Sequence, residues 1–241
     1  MLKIENTEVC GWEAAVRGMR NPMNSWDQSD SKFCCEECQG CVWENDSYSN
    51  SYEDEEWTHT DSWCNHSPAR IGENDLKLMK NLAKAGSDHA KYLRMINVTM
   101  DVTAPLYWWK EFDTYKVGTV ANSCSTMHKI HSKEFTLDDF SCEHVMNEGE
   151  YRWLDGFTDT VVNGLNFARD KYLETKDKRY WWQMIQLLPS SYNQRRTVQL
   201  NYEVLRHMYH ARKNHKLDEW HEYCDWIKTL PYAKELIIGE E

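Results

Sequence analysis

Between Ile96 and Thr103 apolar and polar side chains alternate without a break, Ile96, Val98, Met100 and Val102 against Asn97, Thr99, Asp101 and Thr103. Successive side chains of a strand point to opposite faces, so this run reads as a strand with one buried face. Ala104-Pro105 ends it, and Pro105 is suited to the first position of a helix over Leu106–Phe112. This unit points to a sheet with helices packed on it.

Helical spacing elsewhere supplies the cover. Asn74 is placed to cap a helix over Asp75–Ala85, with Leu76, Met79, Leu82 and Ala83 on one stripe and Gly86 as its stop. A longer helix is predicted over Tyr151–Thr175, where Leu154, Phe157, Val161, Leu165, Ala168 and Tyr172 line up. Another covers Arg179–Leu188 and halts before Pro189. Val198, Leu200, Tyr202 and Val204 alternate with Gln199, Asn201 and Glu203 and predict a second strand. A basic, histidine-rich stretch over Leu205–Lys216 and a last helix over Leu217–Thr229 follow. With no internal repeat and no linker between two cores, the prediction is an α+β fold. It comprises an antiparallel sheet with packed helices in a single domain over residues 1–241.

Residues 31–70 stand apart. They carry nine acids against Lys32 and Arg70, a charge of −7 out of the chain's −11, and five of its nine cysteines. The segment reads as an acidic insertion looping out of the domain. Cys35, Cys38 and Cys41 at two-residue spacing, with Cys64 and His66 downstream, suit a structural Zn²⁺, because tight turns let such thiolates converge on one ion. The competing reading is a loop of reduced, noncoordinating thiols.

Charge and hydropathy exclude some classes. An acidic chain without a basic tract is not built for nonspecific nucleic-acid binding. No apolar run approaches the ~18 residues of a membrane span. The first residues lack the apolar core of a secretion signal, so the expected compartment is the cytoplasm.

The aromatic runs Tyr107-Trp108-Trp109 and Tyr180-Trp181-Trp182 read as core helices. His207, His210 and His215, beside Arg206, Arg212 and Lys213, read on their own as a solvated basic face. The stretch Asn122-Ser123-Cys124-Ser125-Thr126 is small and polar; it suits either a phosphate cradle or a cap. Glycine-rich nucleotide loops and nucleophile elbows are absent.

The order of these pieces resembles the flavin-dependent thymidylate synthase family, from about Ile71 to the C-terminus, with Trp12–Asp30 as the N-terminal part. Gly86-Ser87-Asp88-His89 stands at the family's glycine-histidine turn, and Val102-Thr103-Ala104-Pro105 at its strand ending in Ala-Pro. Asn122-x-x-Ser125 matches the second half of its signature. Leu188-Pro189 is followed by Asn201 twelve residues later and Arg212 eleven further on, with His215 beyond, at the family's intervals. The sequence departs where the family has Arg-His-Arg: Thr114-Tyr115-Lys116-Val117 stands there, and Met127 replaces the signature's closing arginine.

The resemblance implies an α+β enzyme, a homotetramer, that methylates dUMP reductively with FAD, NADPH and methylenetetrahydrofolate. It implies that Arg212 is catalytic, holding and polarising the pyrimidine, and that Ser123, Cys124, Ser125 and Thr126 receive the nucleotide phosphate. His89, Asn122, Asn201, His207 and His215 would contact flavin. Lys116, with Arg195, Arg196 or a neighbouring subunit, would replace the missing phosphate charge. Two alternatives stay open: a related flavoenzyme modifying another pyrimidine nucleotide, and a noncatalytic member acting as a binding protein.

Overall fold

The computed structural model describes residues 1–33 and 70–239. The candidate zinc ligands Cys35, Cys38, Cys41 and Cys64, with His66, lie outside the described residues, as does most of the acidic insertion. Lys32 and Arg70 are hydrogen-bonded to each other through both backbone pairs, at 2.8 and 2.9 Å, so the chain departs and returns at one point. Among the described residues no helix is long and apolar enough to cross a membrane, and no three His, Cys, Asp or Glu side chains gather as a metal site.

Four strands form the main sheet, in the order β1 (Lys3–Cys10), β2 (Asn97–Pro105), β6 (Asn193–Asn201) and β3 (Val120–Ser123). The predicted alternation is what buries β2: Val98, Met100 and Val102 are fully enclosed while Asn97, Thr99 and Asp101 are partly open. The Leu106 N–H bonds the Tyr192 carbonyl at 3.0 Å, joining the end of β2 to the start of β6, so these strands run antiparallel. β3 pairs antiparallel with β6, with Asn122 opposite Thr197 and Ser123 opposite Arg196. Short strands β4 (Asn147–Glu148) and β5 (Tyr151–Arg152) form a separate hairpin.

The helices are α1 (Trp12–Arg20), α2 (Glu73–Lys84), α3 (Leu106–Phe112), α4 (Trp153–Phe157), α5 (Asn163–Thr175), α6 (Lys178–Leu187), α7 (Tyr202–Arg212) and α8 (Asp218–Lys228). The chain divides into two compact units. The first comprises residues 1–8, 99–200 and 208–227; the second comprises 9–98, 201–207 and 228–241. In the first unit, α3 and α8 bury Trp108, Trp109, Phe112, Trp220 and Tyr223 together. A second cluster in that unit joins Ile130, Phe135, Phe140, Val162, Leu165, Ala168 and Met184. The second unit has its own core around Trp12, Met79, Tyr92, Leu93 and Tyr202.

Four expectations are corrected. The second strand does not reach Val204: it begins at Asn193, and Tyr202 already opens α7. The Asn201 side-chain oxygen accepts the Val204 N–H at 3.1 Å, an N-cap that turns the chain into a helix where the alternation alone continues the strand. Helix α2 starts before Asn74, whose own N–H is capped, like that of Asp75, by the Asp30 carboxylate at 2.9 and 3.1 Å. The long helix over 151–175 is interrupted: β5 and α4 come first, and a π-helical turn at Thr158–Val162 precedes α5. Only the first aromatic run is core, since α6 buries a single stripe through Met184 and leaves Trp182 at 44% exposure.

Candidate functional site

In the first unit the end of α3, the loop behind it, the end of α7 and the start of α8 meet around Arg212. Its Nε donates to the Tyr115 hydroxyl at 2.8 Å and its Nη1 to Glu111 Oε2. The guanidinium lies over the Trp220 ring, 4.8 Å from its centroid, a cation–π seat that fixes the plane of the fork. Glu111 Oε2 also lies 3.2 Å from His215 Nε2. On its other side His215 Nδ1 accepts the Leu217 N–H at 3.2 Å, which places the imidazole proton on the nitrogen facing Glu111. Arg212 Nε and Nη1 are therefore committed inside the protein while Nη2 keeps its donors, on a side chain 18% exposed beside a carboxylate 35% exposed. A guanidinium held in this way is a preorganised donor toward a carbonyl oxygen.

A second guanidinium is seated against α3. Arg196 lies 4.1 Å above the Trp109 ring, and its Nη1 donates to Asp113 at 2.7 Å. Its Nε donates to Gln194 Oε1 at 3.0 Å. Arg195, on the opposite face of β6, donates to Asp101 at 2.8 Å, and hydrogen bonds from Thr197, Asn6 and Arg195 hold the Asp101 carboxyl well below the usual carboxylate range. Lys116 is exposed in the loop after α3.

Asn122 and Ser123 sit exposed on β3, and Cys124, Ser125 and Thr126 form the following turn. Ser125 Oγ accepts the N–H groups of Met127 at 3.2 Å and His128 at 2.8 Å, so this hydroxyl caps the turn, the second of the two roles its composition suits. The turn is pinned to β6 by the Cys124 N–H on the Arg195 carbonyl at 2.9 Å, and by Gln194 Nε2 on the Cys124 carbonyl at 2.7 Å.

The second unit holds His89, Asn201 and His207. His89 is exposed in the turn after α2, where its N–H bonds the Gly86 carbonyl at 3.0 Å and Gly86 adopts φ +108°, a conformation open to glycine. Asn201 is 8% exposed and caps α7, and His207 is exposed on that helix. The structure thus brings Arg212 and His215 together through Glu111, while Asn201 and Ser125 use their side chains on the backbone. Sequence reasoning missed Glu111, Tyr115, Trp220 and Gln194. Glu111 lies on α3 and Tyr115 in the loop after it, so no local periodicity pairs them before Arg212 closes on both.

For a flavin, the fit rests on donors that remain exposed. In the first unit Lys116 and Asn122 present such groups, and Lys116 carries the charge that a pyrophosphate requires. His215, held between Glu111 and Leu217, is engaged within the protein.

No family model and no curated protein matches the sequence. Solved structures do match the fold. A Helicobacter pylori flavin-dependent thymidylate synthase, crystallised with FAD and dUMP, is similar with a TM-score of 0.61 at 12% identity, over 98% of this chain and 97% of that one. The fold is that of the flavin-dependent thymidylate synthases. A second structure of the Helicobacter pylori enzyme with the same ligands gives a TM-score of 0.60 at 12% identity and the same coverage. A UMP/dUMP methylase from Streptomyces cacaoi bound with 5-Br dUMP is similar with a TM-score of 0.54 at 13% identity, over 99% and 95% of the two chains.

Proposed function

We propose that this chain is a flavin-dependent enzyme that modifies a pyrimidine nucleotide, and that its reaction is the reductive methylation of dUMP to dTMP. The observation that carries the reading is the seat of Arg212, in a fold shared with enzymes crystallised with dUMP or 5-Br dUMP. Bound FAD supplies the hydride chemistry, with NADPH and methylenetetrahydrofolate as co-substrates. Lys116 and Asn122 would hold the flavin. Arg212 Nη2 donates to a carbonyl oxygen of the pyrimidine and withdraws charge from the ring. Glu111 and Tyr115 keep the guanidinium in place, and the Trp220 face shields it from water.

Two measurements test this. The absorbance spectrum of the purified protein, with release of any chromophore, should identify FAD. Turnover of dUMP should vanish in Arg212→Ala while fold and flavin content persist. A colourless protein that takes up no FAD overturns the reading, and so does an active Arg212→Ala.

Glu111 favours a second reading, modification of another pyrimidine nucleotide. A carboxylate only accepts hydrogen bonds, and beside Arg212 it suits a ring-edge N–H or an exocyclic amino group. Comparing dUMP with dCMP as substrate separates the two. The homotetramer belongs to the same proposal: Phe167 on α5 and Trp182 and Leu187 on α6 are 44–59% exposed, apolar surface suited to a second copy. A monomeric mass by light scattering would remove that part.

A further inference from the structure

We infer that Arg196 and Ser123 form the phosphate subsite of the nucleotide, so that Arg196, and not Arg195, stands in for the missing signature arginines. The inference rests on the nucleotide reading and gives it a specific anion contact. Directly opposed residues of an antiparallel pair project to the same face about 5 Å apart, and Ser123 is opposite Arg196. The Ser123 side chain is exposed at the end of β3, and among the described residues neither its hydroxyl nor Arg196 Nη2 has a recorded partner.

The seat is built from a buried hub. Gln194, 6% exposed, takes the Trp109 indole N–H on its backbone carbonyl at 3.0 Å and the Arg196 Nε on its side-chain oxygen at 3.0 Å. Its amide nitrogen then holds the Cys124 carbonyl at 2.7 Å. One side chain therefore aligns the guanidinium, the ring beneath it and the turn that follows Ser123. Arg195 is differently placed, since its charge is met by Asp101 at 2.8 Å and by Glu5 at 3.8 Å on the other face of the strand. The group opposing an anion at Arg196 is Asp113, 52% exposed and bonded to Nη1, so the phosphate approaches the Nη2 side, where the guanidinium and the Ser123 hydroxyl both donate.

Calorimetric titration of the full chain with dUMP and with deoxyuridine tests the subsite, because only the first carries phosphate. The native protein should prefer dUMP, and Arg196→Gln should reduce that preference roughly 10- to 100-fold, the scale of one charge-assisted hydrogen bond, with deoxyuridine affinity unchanged. Asp113→Asn should raise the preference, and Arg195→Gln should leave it intact. Arg196→Lys keeps the charge without the fork and should retain part of the preference, which serves where Arg196→Gln does not fold by circular dichroism. A preference that survives Arg196→Gln or Arg196→Lys in full overturns the inference. If neither dUMP nor deoxyuridine binds the native protein, the nucleotide reading fails; inorganic phosphate is then titrated. Binding lost with Arg196 sustains the anion site, and any other result rejects it.

Discussion

Arg212 and Arg196 solve the same problem in the same way. Each long, flexible side chain is laid on a tryptophan, tied by Nε and Nη1, and left with Nη2 available. Rotamer entropy that binding would otherwise cost is removed in advance, which is how a preorganised donor gains affinity. The tether from Tyr115 can be removed singly. Tyr115→Phe should lower kcat for the pyrimidine substrate roughly tenfold, a loss of about 1.4 kcal/mol, with a smaller change in KM, because Arg212 then samples other orientations. Steady-state kinetics of this variant, with unchanged kcat, would show that the hydroxyl does not position Arg212.

At the scale of elements, what is local in the sequence is legible and what is long-range is not. β2, α3, α6 and α8 follow from alternation, a proline and helical stripes, each a property of neighbouring residues. The end of β6 was hidden because Tyr202 and Val204 continue a period of two, and only the Asn201 cap breaks it. The start of α2 was hidden because its cap comes from Asp30, more than forty residues upstream. The candidate site divides likewise: Arg212 and His215 stand in the resemblance, whereas Glu111 and Gln194 acquire roles only when distant strands and helices close on them. The cap is itself testable. Asn201→Ala should cost about 1 kcal/mol in urea unfolding and Asn201→Asp should restore it, since an aspartate caps equally well. Equal stability of Asn201→Ala and the native protein would leave the side chain without that structural role.

For the whole molecule, a buried ion pair among the described residues ties the second unit together. Arg20 Nε meets Asp75 Oδ1 at 2.6 Å, and both side chains are almost wholly enclosed. The other Asp75 oxygen accepts from Ser29 at 2.7 Å and from the Ser31 N–H at 3.1 Å, while Arg20 donates to the Ser25 and Gln28 carbonyls, each at 3.0 Å. One carboxylate thus ties α1 and the segment after it to α2. Burial alone would raise the Asp75 pKa, but the hydrogen bonds from Ser31, Ser29 and Arg20 outweigh it and hold it below the ordinary value. A carboxylate depressed in the folded state contributes stability above its unfolded pKa, near ~4, and loses that contribution as pH falls through the lower folded value. Urea unfolding should therefore show native stability constant from neutrality to about pH 5 and falling steeply below ~4. Asp75→Asn leaves the Arg20 charge buried against a neutral partner, and should cost about 3–5 kcal/mol at neutral pH. The gap between the two proteins should then narrow in acid, because the native carboxylate is itself neutralised there. A gap that stays constant from pH 7 to pH 3 would assign the acid sensitivity to groups other than Asp75.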